Sequence, residues 1–350
     1  MRIVLILPCC IGDVVMATPT LTALRNAYPD AHITWAVGGW SRRAVEYHPS
    51  VDAILDTGHA ALPIKSLSGF LSFVQKLRSG KFDLAVSLVR SPLMSLAVWL
   101  SGIPQRAGLD SKRRGFGYTI RAPIDPSEAR HEVEIYLDVA RAMGIDTTDM
   151  TINLPVLAET RQRVALLLTE RGINKPYFVV NPTGGGNPGM MMDSKRYPPA
   201  YLATVSDALA AELEITPILI GGAADGQVVE NLRHQVKTAA QTFIGNLTFP
   251  EMGALAAAAQ FYIGNDTGIT HLVAASGAKT IMILGPSDPK RYAPYTKNSL
   301  ALWKPVALKD GGVANSENSK WDWARDGIQP NEALKQIRRF LTLENDSAKS

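Results

Sequence analysis

Only two of the 350 residues are cysteine, and they are neighbours, Cys9 and Cys10. Adjacent cysteines do not readily form a normal disulfide, so the chain is expected to need none and to suit a reducing cytosol. No apolar run reaches the roughly 20 residues needed to span a bilayer. The apolar stretch 4–7 runs directly into Gly12-Asp13, so no secretory leader is expected. Charged residues make up 19%, and 36 Lys+Arg against 32 Asp+Glu leave a net charge of +4. That balance permits an acidic partner but gives no reason to expect nucleic acid. The first turn, CCIGDVV, lacks the G-x-G-x-x-G spacing of a dinucleotide dehydrogenase, and no G-x-S-x-G elbow stands near Asp266 and His271 to make them part of a hydrolase triad. Solenoid periods and coiled-coil heptads are absent, as is any D-x-D triplet.

Apolar residues are plentiful, at 46%, and a chain of this length fits two α/β domains better than one core. Residues 261–295, FYIGNDTGITHLVAASGAKTIMILGPSDPKRYAPY, read as strand, turn, helix, strand. A helix opening at the Asp266-Thr267-Gly268 turn would present unpaired backbone N–H groups and a positive dipole end at the carboxyl edge of a parallel sheet. Anions are favoured there. An ordinary helix start capped by Asp266 or Thr267 has the same pattern.

The first half alternates in the same way. Residues 2–7 are a continuous apolar run, as a doubly buried parallel strand should be, and 8–14 form the turn after it. A helix stops before Pro29, and strands are expected at 33–37, 51–55, 82–88 and within 102–110. Helices are expected at 67–77, 92–100 and 131–143. This βαβ order implies a parallel sheet with helices on both faces. Arg90, Arg121, the pair Arg42-Arg43 and the cluster Lys112-Arg113-Arg114 fall in loops, where solvated surface and an anion cradle both fit. The passage 151–176 changes domain and leads into a strand at 177–180. The loop 181–199 is long for a βα connection, which marks it as functional or mobile. Within it, Thr183 and the backbone of Gly184, Gly185 and Gly186 could donate hydrogen bonds. Residues 309–320 are a polar loop, a helix with one apolar face starts at 329–331 and runs through 343, and 346–350 should fray.

Two long signatures resemble glycosyltransferase family 9, the lipopolysaccharide heptosyltransferases. One is Ile11-Gly12-Asp13-Val14-Val15 with Pro19, Ala23-Leu24-Arg25 and Tyr28-Pro29. The other is Asp266-x-Gly268-x-x-His271-Leu272-x-Ala274-Ala275 followed by Gly285-Pro286-Ser287-Asp288-Pro289-x-Arg291-Tyr292. Lys195-Arg196-Tyr197-Pro198 fits a third family segment, with Tyr197 in place of a common Trp. The resemblance implies a GT-B fold: two Rossmann-like domains facing across a cleft, 1–155 for acceptor and 156–328 for nucleotide sugar. A C-terminal helix, 329–345, would pack back on the first domain.

The resemblance also implies inverting sugar transfer, heptose from ADP-heptose, to a lipopolysaccharide inner-core or related glycan. Asp13 would be the base, beside Gly12, because a carboxylate at a strand's carboxyl end can take a proton from an acceptor hydroxyl. Lys195 and the turn Asp266, Thr267, Gly268 and His271 would hold the diphosphate, with Thr183 assisting and Asp225 on the ribose. Residues 247–252 would line the adenine pocket. Arg90, Lys112, Arg113 and Arg114 would cradle an anionic acceptor. Lys195 would do the work of a metal in stabilising the leaving diphosphate, so no metal or cofactor is expected, in line with the missing D-x-D. Family members often carry small hydroxyl residues before Gly-Asp, whereas Pro8-Cys9-Cys10 stands here. A different nucleotide sugar, a non-lipopolysaccharide acceptor, or binding without transfer remain open alternatives. The expected location is cytoplasmic, where peripheral contact with the inner membrane would suit an amphiphilic acceptor.

Overall fold

A computed structural model describes residues 1–64, 66–125, 127–187, 189–308 and 321–347. The polar loop expected at 309–320 and the end segment 348–350 lie outside the described residues. Two compact units emerge: Met1–Leu154 with Asn187–Met190, and Pro155–Gly186 with Met191–Ser350.

The first unit runs β1 (Arg2–Ile6), α1 (Ile11–Met16), α2 (Thr18–Ala27), β2 (His32–Val37), β3 (Ala53–Asp56), α3 (Leu67–Ser79), β4 (Leu84–Ser87), α4 (Pro92–Leu100), β5 (Gln105–Ser111), β6 (Ile120–Ile124) and α5 (Glu132–Ala142). Its six strands lie in the order β3-β2-β1-β4-β5-β6, all parallel, with Ile3 in register with Ile33 on one side and Leu84 on the other. Ile3, Val4, Leu5 and Ile6 have no exposed surface, because helices cover both faces of this central strand. Two elements escape the sequence pattern. Residues 11–14, read as part of a turn, wind into α1. Strand β6 contains Pro123, whose missing N–H argues against a strand but is tolerated at the sheet edge that β6 forms.

The second unit runs α6 (Ala158–Glu170), β7 (Tyr177–Asn181), the outer residues of the short pair β8 (Gly186–Asn187) and β9 (Met190–Met191), α7 (Pro199–Leu213), β10 (Thr216–Gly221), α8 (Gly226–Gln235), β11 (Gln241–Ile244), α9 (Phe249–Ala257), β12 (Tyr262–Asn265), α10 (Gly268–Ala275), β13 (Thr280–Ile283), α11 (Pro289–Tyr292), β14 (Ser299–Leu302), α12 (Trp323–Asp326) and α13 (Pro330–Ser347). The parallel order β11-β10-β7-β12-β13-β14 repeats that of the first unit. In both sheets the first strand has its successors on opposite sides, which opens a switch point at the strands' carboxyl ends.

The last helix has a seat within the second unit, and one expectation, on the cysteines, needs correcting. The last helix packs on α7 and β14, with Ala333, Leu334 and Ile337 in the second unit's own core. Its apolar stripe fits the groove beside the edge strand β14, which the sequence did not reveal as a strand. Cys9 and Cys10 are joined by a disulfide, their sulfurs 2.18 Å apart. Across a trans peptide neighbouring Cα atoms stand about 3.8 Å apart, which keeps adjacent cysteines from pairing. The Cys9-Cys10 peptide is cis and the Cα atoms stand 3.0 Å apart.

Candidate active site

At the first unit's switch point, Asp13 follows β1 and Arg90 follows β4. Asp13 is the third residue of α1, so its side chain turns back on the helix start, and Oδ2 accepts from the Cys10 N–H at 3.2 Å. Oδ1 accepts from the Tyr136 hydroxyl at 3.0 Å. Tyr136 sits one turn beyond Glu132 on α5, so both side chains leave the same helix face. Glu132 is buried and ion-paired with Arg90, whose guanidinium also lies 5.9 Å from the centre of the Tyr136 ring. Burial, and next the charge of Glu132, hold the Asp13 carboxyl above the usual carboxylate range, while the Cys10 N–H, the Tyr136 hydroxyl and Arg90 pull the other way. Burial, and then Asp13 itself, push Tyr136 well above the usual phenol range, so it stays a donor.

Arg90 is thus committed to Glu132 and Tyr136 rather than held out in a solvated loop. Lys112, Arg113 and Arg114 are exposed on the turn after β5, which is closed by the Gly115 N–H donating to Asp110. Tyr136 and Glu132 escaped the sequence reading because 123 positions separate Tyr136 from Asp13. The available signal was an i,i+4 Glu–Tyr pair opening an otherwise apolar helix face. His131 caps α5 by accepting from the Val133 N–H at 3.2 Å.

In the second unit the expected residues gather at the carboxyl ends of β10, β7, β12 and β13. Lys195 Nζ donates to Asp266 Oδ2 at 2.6 Å and lies 5.7 Å from the centre of the Tyr292 ring. Burial would raise the Asp266 carboxyl, but Lys195, with His271 and Ser287, holds it below the usual carboxylate range. Asp266 is therefore the residue that fixes Lys195, and it is buried. Thr267 caps α10 by accepting from the Thr270 N–H. Gly268 opens the helix, and the N–H groups of a first helical turn have no intrahelical acceptor. His271, one turn in, is buried.

The loop after β7 is drawn against this helix start. Asn265 donates to the carbonyls of Pro182 and Thr183 at 2.9 and 3.0 Å and accepts from the Tyr197 N–H at 2.9 Å. Gly184 adopts φ +136°, and a Cβ there would stand 2.2 Å from Thr267 Cγ2. A Cβ on Gly221 would touch both Thr183 and Asp225 at 3.2 Å, so those two flank the end of β10. Asp225 also accepts from the Gly222 N–H of its own turn at 3.0 Å. Tyr197 is a core residue: its hydroxyl donates to the Ile328 carbonyl at 3.1 Å and its ring meets Trp323 edge-on. Leu247 and Met252 are buried beside a capping box in which the Thr248 N–H donates to Glu251 at 2.7 Å. Among the described residues no group of three or more His, Cys, Asp or Glu side chains is arranged to hold a metal ion.

The chain as a whole has relatives among known proteins. Lipopolysaccharide heptosyltransferase 3 of Escherichia coli is 25% identical over 297 residues, covering 83% of this chain and 86% of that protein. The solved glycosyl transferase family 9 protein of Veillonella parvula DSM 2008 superposes with a TM-score of 0.78 at 22% identity, over 97% of both chains. The E. coli ADP-heptose LPS heptosyltransferase II structure gives a TM-score of 0.75 at 20% identity, over 99% of this chain and 100% of that one. These likenesses establish the GT-B fold class. The family model described as glycosyltransferase family 9 (heptosyltransferase) matches residues 70–320. The chain belongs to glycosyltransferase family 9 and is a glycosyltransferase enzyme.

Proposed function

We propose that the protein transfers heptose from ADP-heptose, with inversion and without a metal, to the inner core of lipopolysaccharide or a related anionic glycan. The observation that carries this reading is Lys195 fixed by the buried Asp266 at 2.6 Å beside the N-terminus of α10. A side-chain cation and a row of backbone N–H groups meet at one sheet edge, which suits a diphosphate better than any neutral ligand.

In this mechanism Asp13 takes the proton of an acceptor hydroxyl as its oxygen attacks the anomeric carbon, and the bond from that carbon to the diphosphate oxygen breaks. Attack from the side opposite the departing ADP inverts the centre. A base is most effective when its affinity for the proton is not too low, and burial with Glu132 raises that of Asp13. The Tyr136 hydroxyl holds the carboxylate in place. The charge that develops on the leaving diphosphate falls to Lys195 and the first N–H groups of α10. Thr183 and Gly268 add donors, Thr267 and His271 shape the turn, and Asp225 serves the ribose hydroxyls. Gly12 gives the acceptor room beside Asp13, and the exposed cations Lys112, Arg113 and Arg114 suit an anionic acceptor.

Calorimetry with ADP, UDP and GDP in metal-free buffer tests the donor assignment. The expected result is ADP binding by the wild type that Lys195→Ala weakens by tenfold or more, on the order of the 1.5–3 kcal/mol of a charge-assisted hydrogen bond. Preference for UDP or GDP would reassign the donor, and binding of none would end the transferase mechanism. Asp13→Ala should keep ADP affinity and lose transfer.

A further inference from the structure

Three neighbouring strands of the second unit, in the order β7-β12-β13, each send one side chain to the same ammonium. The loop after β7 carries Lys195, the turn after β12 carries Asp266, and the segment after β13 ends α11 with Tyr292. Lys195 and Asp266 form the ion pair of 2.6 Å. Tyr292 supplies the third contact: its ring centre lies 5.7 Å from Lys195 Nζ, within the range of a cation–π attraction. The mechanism gives this tyrosine no part, although it closes the second family signature.

Short-range sequence fixes where the ring leaves the backbone. Asp288 caps α11 by accepting from the Lys290 N–H at 2.9 Å, and Pro289 suits the first helical position. The Tyr292 N–H then donates to the Asp288 carbonyl at 3.0 Å. Ahead of this turn the chain is pressed against the loop that bears Lys195, because a Cβ on Gly285 would stand 2.8 Å from the Ser194 carbonyl. Arg291, beside Tyr292 in the sequence, is 4% exposed, and its guanidinium lies 5.8 Å from the same ring centre. The ring is thus anchored through its buried neighbour.

A carboxylate alone makes an incomplete mount for a cation that has to meet a diphosphate. The Asp266 side chain keeps 5% of its surface exposed and that of Lys195 20%, so the ion pair draws the ammonium inward and cancels part of its charge. An aromatic ring attracts the same ammonium through its quadrupole and has no net charge to cancel it. It also restrains a long side chain whose rotamer freedom would otherwise be lost only when the ligand binds.

We infer that Tyr292 is a positioning residue for diphosphate: acting through Lys195, its ring holds the ammonium at the sheet edge with its charge left for the ligand. This rests on the reading of Lys195 as the diphosphate cation. The ligands that sense the ring are nucleoside diphosphates and free pyrophosphate. AMP lacks the phosphate that leaves with the sugar bond and is the comparison.

Calorimetry of the full chain with ADP, AMP and pyrophosphate in metal-free buffer measures the effect. Tyr292→Leu should weaken ADP and pyrophosphate about threefold to thirtyfold and AMP less than about twofold. Tyr292→Phe, which keeps the ring, should recover most of the loss. In a Lys195→Ala background, Tyr292→Leu should change ADP affinity less than about twofold, because the group it acts through is gone. Melting curves show whether each variant folds. Equal loss of AMP and ADP, a full effect in the Lys195→Ala background, or Tyr292→Phe as weak as Tyr292→Leu would each overturn the inference in favour of simple packing. Wild-type binding that Tyr292→Leu leaves intact overturns it alone and keeps the donor site. A wild type that binds neither ADP nor pyrophosphate removes the donor site, and the inference with it.

Discussion

Asp13 titrates in a small charge balance whose members can be removed one at a time. Tyr136→Phe deletes a hydrogen bond that lowers the Asp13 pKa, so the acid limb of the kcat/KM profile should move to higher pH. Glu132→Gln deletes a charge that raises it and leaves Arg90 nearby, so the limb should move to lower pH. Opposite displacements, read from pH–rate profiles, distinguish this balance from loss of structure, which would lower the rate without moving the limb. Asp266 offers a second residue-scale prediction. Its folded pKa lies below the unfolded value of 3.8, so its stabilisation is fully present above that value and is lost as pH falls through the folded one. Asp266→Ala strands Lys195 and should cost about 3–5 kcal/mol near neutrality. The difference from wild type should shrink in urea titrations carried into acid. Asp13 and Lys195 were legible in the sequence because each stands in a recognisable motif. Tyr136, Glu132 and the commitment of Arg90 were not, because their partners lie on different elements.

At the scale of the element, the loop after β7 and the start of α10 are a matched pair. Gly184→Ala would drive a Cβ to within 2.2 Å of Thr267 at a φ of +136°, so we expect about 1–3 kcal/mol of destabilisation together with weaker ADP binding. Gly186→Ala is the control within the same loop: its Cβ would meet only Met191, no closer than 3.6 Å, and melting temperature and ADP affinity should stay near wild type. The sequence could assign this loop a function from its length and glycines. It could not show which glycine is obligatory, because that depends on how closely the loop approaches Thr267, a residue more than eighty positions away.

For the whole molecule, the destination of α13 is the informative point. Deleting 329–350 removes Leu334 and Ile337 from the second unit's core, about 3–6 kcal/mol of apolar burial for those two side chains. Hydrogen exchange should accelerate in α7 and β14 and stay unchanged in β1 through β6. Acceleration in β1 through β6 instead would restore the arrangement expected from the sequence.

Taken alone, the order of apolar runs and turns determined two parallel-sheet α/β units, and the motifs around Asp13 and Asp266 determined the family, because both are written in short-range patterns that survive without coordinates. Tertiary structure alone decided the rest. It paired Asp13 with Tyr136, set Asp266 to hold Lys195, closed the Cys9–Cys10 disulfide and seated α13 on β14. The physical reason is the same in each case: a buried charge takes its pKa, and an apolar stripe its partner, from groups that only the folded chain brings within a few ångströms.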